Sequence, residues 1–384
     1  MIKKFVITLV ILGGSLLCLF CAFLKPQDNR EVIQFASWGS KSEVAIIKPI
    51  LAEFEKENPE IRIDFMHIPQ NYFQKIHLLF ASNTAPDVIF INNHYLPVYA
   101  NAGLLEPVQA DNNFYDKALK ALSWNNTLYA IPRDISTLVI FYNRDLFRKN
   151  NLSAPDSDWT MRDFLTTAQK LTHDGIFGIS FEEDALFYLP YLMSFGGGIL
   201  SDDLSRLIID EDASKRGINF YADLRKKYHV APLKSESASA TMAQMFLQQK
   251  LAMHLSGRWL VPKYREEADF DWDVVQFPKG ENGSIVPLDA SGWAISKSSK
   301  NKIMARKLVD FLASKESSQK FTQSGLIVPA RKDVAESIYF FDNKKPLNAR
   351  TFINAIENSK TTPVSIDYKE ILDNLKGKFE KAFN

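Results

Sequence analysis

The chain has 384 residues, more than a single domain usually holds, so two domains are expected. Hydrophobic residues make up 46% and charged residues 24%, the balance of an ordinary globular protein. The formal net charge of +1 argues against a nucleic-acid partner and against an acidic solvating tail.

Lys3 and Lys4 precede an uncharged apolar run from Phe5 to Leu24. A basic start and such a run read as an export signal. About 20 apolar residues also suffice to span a bilayer. Segment 1–25 is therefore a signal sequence or a membrane anchor. Both cysteines, Cys18 and Cys21, lie inside it, so the rest of the chain has no disulfide framework and no thiolate chemistry. A lipoprotein signal needs a small residue before its cysteine, and Leu17 and Phe20 fit poorly. Cleavage, lipidation at Cys18 or Cys21, and retention as an anchor all stay open. Each puts the body on the periplasmic or extracellular face of the cytoplasmic membrane.

"REVIQFASW", Arg30 to Trp38, reads as a strand that ends at a turn, "GSKS". Val44, Ile47, Leu51 and Phe54 then share one helical face, with Ser42 as N-cap. Pro49 should kink that helix or delay its start. "NPE" at Asn58 to Glu60 stops it. "IRIDFMHI" alternates as a strand, "YFQKIHLLFAS" is helical, and "PDVIFIN" suits a buried parallel strand. Strand, helix, strand, helix, strand at this spacing predicts a doubly wound parallel sheet.

"LVIFYN", Leu138 to Asn143, begins a second region. Thr160 with Asp163 three residues on is close to a capping box. "GIFGIS", "KLAMHLSG" and "WDVVQFP" read as strands, and helices are expected around Asp212 to Tyr228 and Ala238 to Gln249. "GENGS" is a loop, "SGWAIS" a short strand and "NKIMARKLVDFLAS" an amphipathic helix. Near the end Tyr368, Ile371, Leu372, Leu375 and Phe379 align on one helical face.

Catalytic and metal patterns are missing from the sequence. The six histidines are scattered, with no paired-ligand spacing. There is no Gly-x-Ser-x-Gly elbow and no phosphate loop. "FGGGI" at Phe195 to Ile199 lacks the Lys-Ser/Thr of a P-loop. The acidic runs Glu182–Asp184 and Asp202–Asp203 read as solvated loop residues rather than a glycosidase pair. The sequence supports binding, with no catalytic residue, metal or cofactor.

Several stretches, taken in order, carry a resemblance: "FASWGS", "LAEFEKENPEIRIDF", "APDVIFIN", "YANAGLLEPV", "LYAIPRD", "VIFYNRDLFRKNNL", "WTMRDFLTTAQKL", "LAMHLSGRW", "FPKGENGS", "SGWAISKSSKNKIMARKLVDFLAS" and "GLIVPARKDV". The chain resembles extracellular solute-binding protein family 1, the maltose-binding-like substrate-binding proteins of sugar ABC transporters. The resemblance implies an α/β, two-lobed periplasmic binding protein fold of type II. Each lobe would be a doubly wound sheet flanked by helices, the two joined by a hinge. Crossings near Asp134 to Leu138, Pro287 to Ala290 and Val328 to Arg331 give lobe 1 as 30–134 plus 289–328. Lobe 2 is 138–287 plus 330–384. The resemblance also implies a monomer that traps a small-molecule sugar or oligosaccharide and hands it to ABC transporter permease subunits. Its N-terminus would tether it to the membrane.

A sugar presents apolar C–H faces and a hydroxyl edge, so its site needs flat aromatic surface and fixed polar partners. Trp38 and Trp259 each follow a strand, one in each lobe, and family aromatics at these places stack on ligand. Arg258 beside Trp259 is a donor to hydroxyls or to an acid group, and buried it needs a ligand or a carboxylate partner. Ser40, Asn92, Asn93, His94 and Tyr95 sit in loops after strands. Arg133 and Asp134 stand at the first crossing, and pairing with each other is their alternative role. Phe187 begins a helix where family aromatics line the cleft. Ser291, Gly292 and Trp293 follow the second crossing; Trp293 departs from the family's small residue and narrows or stacks on the cleft. Arg331 stands at the third crossing.

Some maltose-type binders carry acids where this chain has His94 and Ser136, so maltose is not assumed. Arg133, Arg258 and Arg331 raise an anionic glycan or a glycerol-phosphate-type ligand as an alternative to a neutral oligosaccharide. A glycan-active enzyme on the same cell face is a rival reading, and a membrane-tethered sensor or adhesin is another.

Overall fold

The structure is a computed structural model that describes residues 30–237 and 240–383. The readings on the cleavage, lipidation or anchoring of segment 1–25 lie outside the described residues. The strands in chain order are β1 (Glu31–Ser37), β2 (Ile61–His67), β3 (Val88–Asn92), β4 (Ser123–Trp124), β5 (Thr127–Leu128), β6 (Ala130–Ser136) and β7 (Val139–Asn143). They continue with β8 (Phe177–Ile179), β9 (Leu251–Ser256), β10 (Trp272–Val275), β11 (Val286–Ile295), β12 (Val328–Pro329) and β13 (Ser359–Thr361).

β1 pairs in parallel with β2 and β3, as the alternation of strands and helices predicts. The connecting helix Lys41–Glu57 buries Ile47, Ile50, Leu51 and Phe54. Its N-cap is Ser40, whose hydroxyl accepts from the Glu43 N–H, and not Ser42. Pro49 lies inside this helix, which neither stops nor starts late there. Burying four apolar side chains at roughly 1.5–3 kcal/mol each outweighs a helix-internal proline at about 3 kcal/mol.

The larger sheet runs β12-β6-β11-β3-β1-β2, with β13 joining β11. It is mixed rather than wholly parallel. β11 lies antiparallel between β3 and β6, and β12 lies antiparallel to β6. The expected short strand "SGWAIS" is the second half of this longer β11, whose first residues, Val286 to Leu288, pair with β13. β11 enters from about two hundred residues after β3, and no short crossover helix forces it parallel.

A second sheet, β10-β7-β9-β8, holds the middle of the chain. β7 begins three residues after β6 ends, and it turns the chain from one sheet into the other. The capping box of Thr160 and Asp163 forms at the start of helix Met161–Leu171. The helices at Asp212–Lys226, Met242–Leu247, Lys302–Leu312 and Tyr368–Phe383 stand close to where periodicity puts them. One long-range strap is electrostatic. The Lys117 ammonium donates to the carbonyls of Ile356, Glu357 and Ser359 at 2.7, 2.8 and 2.7 Å. It caps the C-terminal end of helix Arg350–Glu357. Among the described residues no helix is long and apolar enough to cross a membrane.

Candidate functional site

A cavity of about 260 Å³ opens where the ends of β1, β6 and β9 converge. Its walls include Trp38, Glu43, Arg133, Asp134, Ser136, Arg258, Trp259 and Ser291. The two tryptophan loops, more than two hundred residues apart in sequence, thus share one space.

Trp38 leaves β1 at its C-terminal end. Its ring packs on Tyr72, Phe73 and Phe90, with centroids at 5.0, 5.3 and 4.2 Å, and it remains partly exposed. Gly39 follows at φ +137°, a conformation that side chains rarely adopt. A Cβ there would also stand 2.7 Å from the Glu43 carboxylate. Glu43 is the N3 residue of its helix, from where an acid ordinarily reaches back to the N-cap. Instead its Oε1 accepts from Arg133 Nη1 at 2.6 Å. Arg133 Nε donates to Asp134 Oδ1 at 2.8 Å, and the guanidinium lies 4.1 Å from the Phe90 ring. Burial alone would lower the Arg133 pKa; the two carboxylates outweigh it and hold it above its ordinary value. Asp134 is raised, because burial outweighs the pull of Arg133.

The opposite wall follows β9. Gly257, Arg258 and Trp259 turn into a short 3-10 helix, Arg258–Leu260. The Trp259 ring lies so close over Gly257 that a Cβ there would fall 1.9 Å from it. Glycine at 257 is therefore a packing requirement. Trp259 is partly exposed, whereas Arg258 is 2% exposed.

A second cavity of about 560 Å³ includes His94, Asp184, Asp289 and Tyr368 in its walls. His94 Nε2 lies 3.0 Å from Asp289 Oδ1, and the His94 and Tyr368 rings are 5.5 Å apart. Burial would lower the His94 pKa, but the Asp289 charge and hydrogen bond prevail and raise it. Asp289 is lowered: burial acts against this, and His94 and Asn93 overcome it. Asp289 of β11 is the cross-strand partner of Ser136 of β6, and Ser291 is the partner of Asp134. Directly paired residues share a sheet face, so one ladder supplies polar groups to both cavities.

The other residues singled out from the sequence stand elsewhere. Trp293 is fully buried in β11 and packs on Phe35, Phe90 and Phe321 at 5.5, 4.6 and 6.1 Å. It fills the core of the large sheet and neither narrows nor stacks on the cleft. Gly292 is pressed against the next strand, where a Cβ would meet the Ile131 carbonyl at 2.2 Å. Asn93 is buried and staples β3 to β11: its Nδ2 donates to Asp289 at 2.9 Å, and its Oδ1 accepts from Ala290 N–H at 3.1 Å. Asn92 Oδ1 accepts from Tyr95 N–H at 3.2 Å, and Tyr95 stacks on Phe73 at 3.7 Å. Ser40 caps its helix. Phe187 packs against the core and lines neither cavity. Arg331 is occupied by Asp333, Asp111 and the Ala313 carbonyl, and it also lines neither.

Glu43 and Asp289 do not stand out in the sequence, where Asp184 reads as a solvated loop acid and Tyr368 as part of an apolar helical face. The Ser40-x-x-Glu43 spacing signals a helix start, but nothing local shows that Glu43 turns toward an arginine 90 positions on. Among the described residues no group of three or more His, Cys, Asp or Glu side chains is placed to hold a metal ion.

Residues 50–346 match the model of a family described as bacterial extracellular solute-binding protein. The galactooligosaccharide-binding protein of Bacillus subtilis (strain 168) is 25% identical over 328 residues, covering 80% of this chain and 75% of its own. The maltodextrin-binding protein MdxE of the same organism is 24% identical over 358 residues, covering 88% and 81%. An ABC substrate-binding protein from Listeria monocytogenes, solved in complex with cycloalternan, superposes with a TM-score of 0.84 at 25% identity, over 92% of this chain and 94% of that one.

Proposed function

The chain belongs to the bacterial extracellular solute-binding proteins, and on that premise we propose that it captures a sugar or oligosaccharide between two lobes for an ABC importer. The observation that carries the reading is the meeting of Trp38 and Trp259 in one polar-rimmed cavity. Two indoles offer flat apolar surface for the C–H faces of a sugar ring. Ser136, Ser291 and the carboxylates around them offer partners for its hydroxyls.

The lobes of this reading are 30–134 plus 289–328 and 138–287 plus 330–384; the turn from β6 into β7 between the two sheets supports the first boundary, whereas β11 runs unbroken from Val286 to Ile295 and β13 joins it in the larger sheet. A ligand that touches both walls favours the closed arrangement over the open one. A ligand held by one wall alone does not shift that balance. Permease subunits receive the sugar outside the cytoplasmic membrane, with the chain held nearby by its N-terminus and acting as a monomer. The role is binding, not catalysis.

The test is calorimetry of the full-length protein, in a sugar-free detergent, against galacto-, malto- and gluco-oligosaccharides. Trp259→Ala should weaken the best of them by about 2 kcal/mol, roughly 30-fold. An unchanged affinity in a folded variant removes Trp259 from the site. Failure of every oligosaccharide, neutral or acidic, to bind the wild type overturns the sugar reading.

A further inference from the structure

Four arginines are buried in the described part of the molecule: Arg133, Arg225, Arg258 and Arg331. Three have acceptors. Arg133 has Glu43 and Asp134, Arg225 has the Pro232 carbonyl and Glu183, and Arg331 has Asp111, Asp333 and the Ala313 carbonyl. Arg258 has none. Its Nε, Nη1 and Nη2 are all buried without a hydrogen-bond partner among the described residues.

What surrounds it is aromatic and cationic. The Cζ lies 3.9 Å from the Phe340 ring and 5.4 Å from the Phe352 ring. Ring faces attract a cation, but they do not replace an acceptor for a guanidinium with five N–H groups. Asp342, the carboxylate whose charge reaches it, is held by Arg265 through two hydrogen bonds of 2.9 Å. Burial, then the like charge of Arg265, pushes the Arg258 pKa down to about 9. It is thus still charged at neutral pH, and a buried charge is ordinarily compensated. Among the described residues its own wall gives it the charge of Asp342 but no hydrogen-bond acceptor, and the acids across the cleft, Glu43 and Asp134, are engaged by Arg133.

We propose that Arg258 is the receptor for an oxyanion on the ligand, so that the saccharide bound beside Trp259 carries a carboxylate or a phosphate. This rests on the sugar-binding reading above and narrows it to acidic sugars. A planar oxyanion meets the fork of an arginine with two parallel hydrogen bonds. In this conformation each nitrogen is covered, so the acid group enters as the side chains over Arg258 give way. Trp259, on the adjoining residue and partly exposed, is placed to report that entry by its fluorescence.

The test compares trigalacturonate with its methyl ester, and galactose 1-phosphate with galactose, on the full-length chain by calorimetry in a sugar-free detergent. One of the two acids should bind at least tenfold tighter than its uncharged counterpart, and which one does identifies carboxylate or phosphate. Arg258→Met, confirmed as folded by circular dichroism, should bring that acid's affinity down to that of the neutral partner. Arg258→Lys should recover part of the preference and Arg258→Gln none. Equal affinity for acid and neutral forms in the wild type overturns the proposal while leaving the sugar reading standing. So does a preference that survives in Arg258→Met. If neither these probes nor the neutral oligosaccharides bind, the sugar reading falls and this proposal with it.

Discussion

The two walls of the cleft solve the same problem in opposite ways. Both place a tryptophan at a strand end and an arginine close to it. On the first wall, Arg133 is enclosed by Glu43 and Asp134, and Trp38 leans on three aromatic rings. On the second, Arg258 has no acceptor among the described residues, and Trp259 rests on a glycine. The first wall satisfies itself and serves as a fixed platform. The second leaves a buried guanidinium without an acceptor among the described residues, which is the demand the proposed oxyanion would meet.

The largest effect that would break this contrast is on the first wall. Arg133→Met leaves the buried Asp134 and the part-buried Glu43 without their shared cation, and it should destabilise the protein by about 3–5 kcal/mol in urea unfolding. A change under about 1 kcal/mol would mean that the triad is not the anchor of that wall. The tryptophans sharpen the contrast next. Trp38→Ala should cost about 2–3 kcal/mol of stability through lost packing, whereas Trp259→Ala should cost chiefly affinity. Gly257→Ala, which displaces the indole without removing it, should mimic Trp259→Ala in calorimetry.

A smaller effect of opposite sign belongs to Arg258. Replacing an unpaired buried guanidinium by Met should raise the unfolding free energy by about 1 kcal/mol or more. A loss of stability would show that its stacking on Phe340 outweighs the missing acceptor. The smallest effect is pH-dependent and concerns the second cavity. The His94 pKa is raised above its ordinary value of about 6.5. Its contribution is therefore full below that value and lost as pH rises through the raised one. Asp289 faces it and Asp184 adds to the pull; Asp289, being lowered, contributes above its ordinary value and loses this only in acid. Unfolding free energy should thus fall by less than about 1 kcal/mol between pH 6 and 9, and His94→Gln should flatten that slope.

Much of this was visible in the chain itself. Trp38 and Trp259 could be picked out because each follows a strand and leaves the run of pairing residues. Periodicity located the helix from Lys41 to Glu57 and the face from Tyr368 to Phe379 of a last helix that runs on to Phe383. What it could not show was side-chain sorting within β11. Trp293 and Trp259 both stand within two residues of a glycine. One lies inside a strand flanked on both sides, so its ring has only the interior to enter. That flanking comes from β3 and β6, which pair with β11 across about 150 to 200 residues. Separation in sequence also hid Glu43 from Arg133, 90 positions on, and Asp289 from His94, about 200 positions on. A capping serine reads locally, yet Ser42 was expected and Ser40, two positions earlier, caps the helix.

β11 lies between β3 and β6, and its last residue is 295. During synthesis β3 and β6 emerge first, and each then has an unpaired edge, the kind of surface that invites mispairing. The gap between β3 and β6 is filled only when about three quarters of the polypeptide exists. A chain built in this order stays open until late, which suits threading through a translocation pore before the wall of the cleft is locked in place.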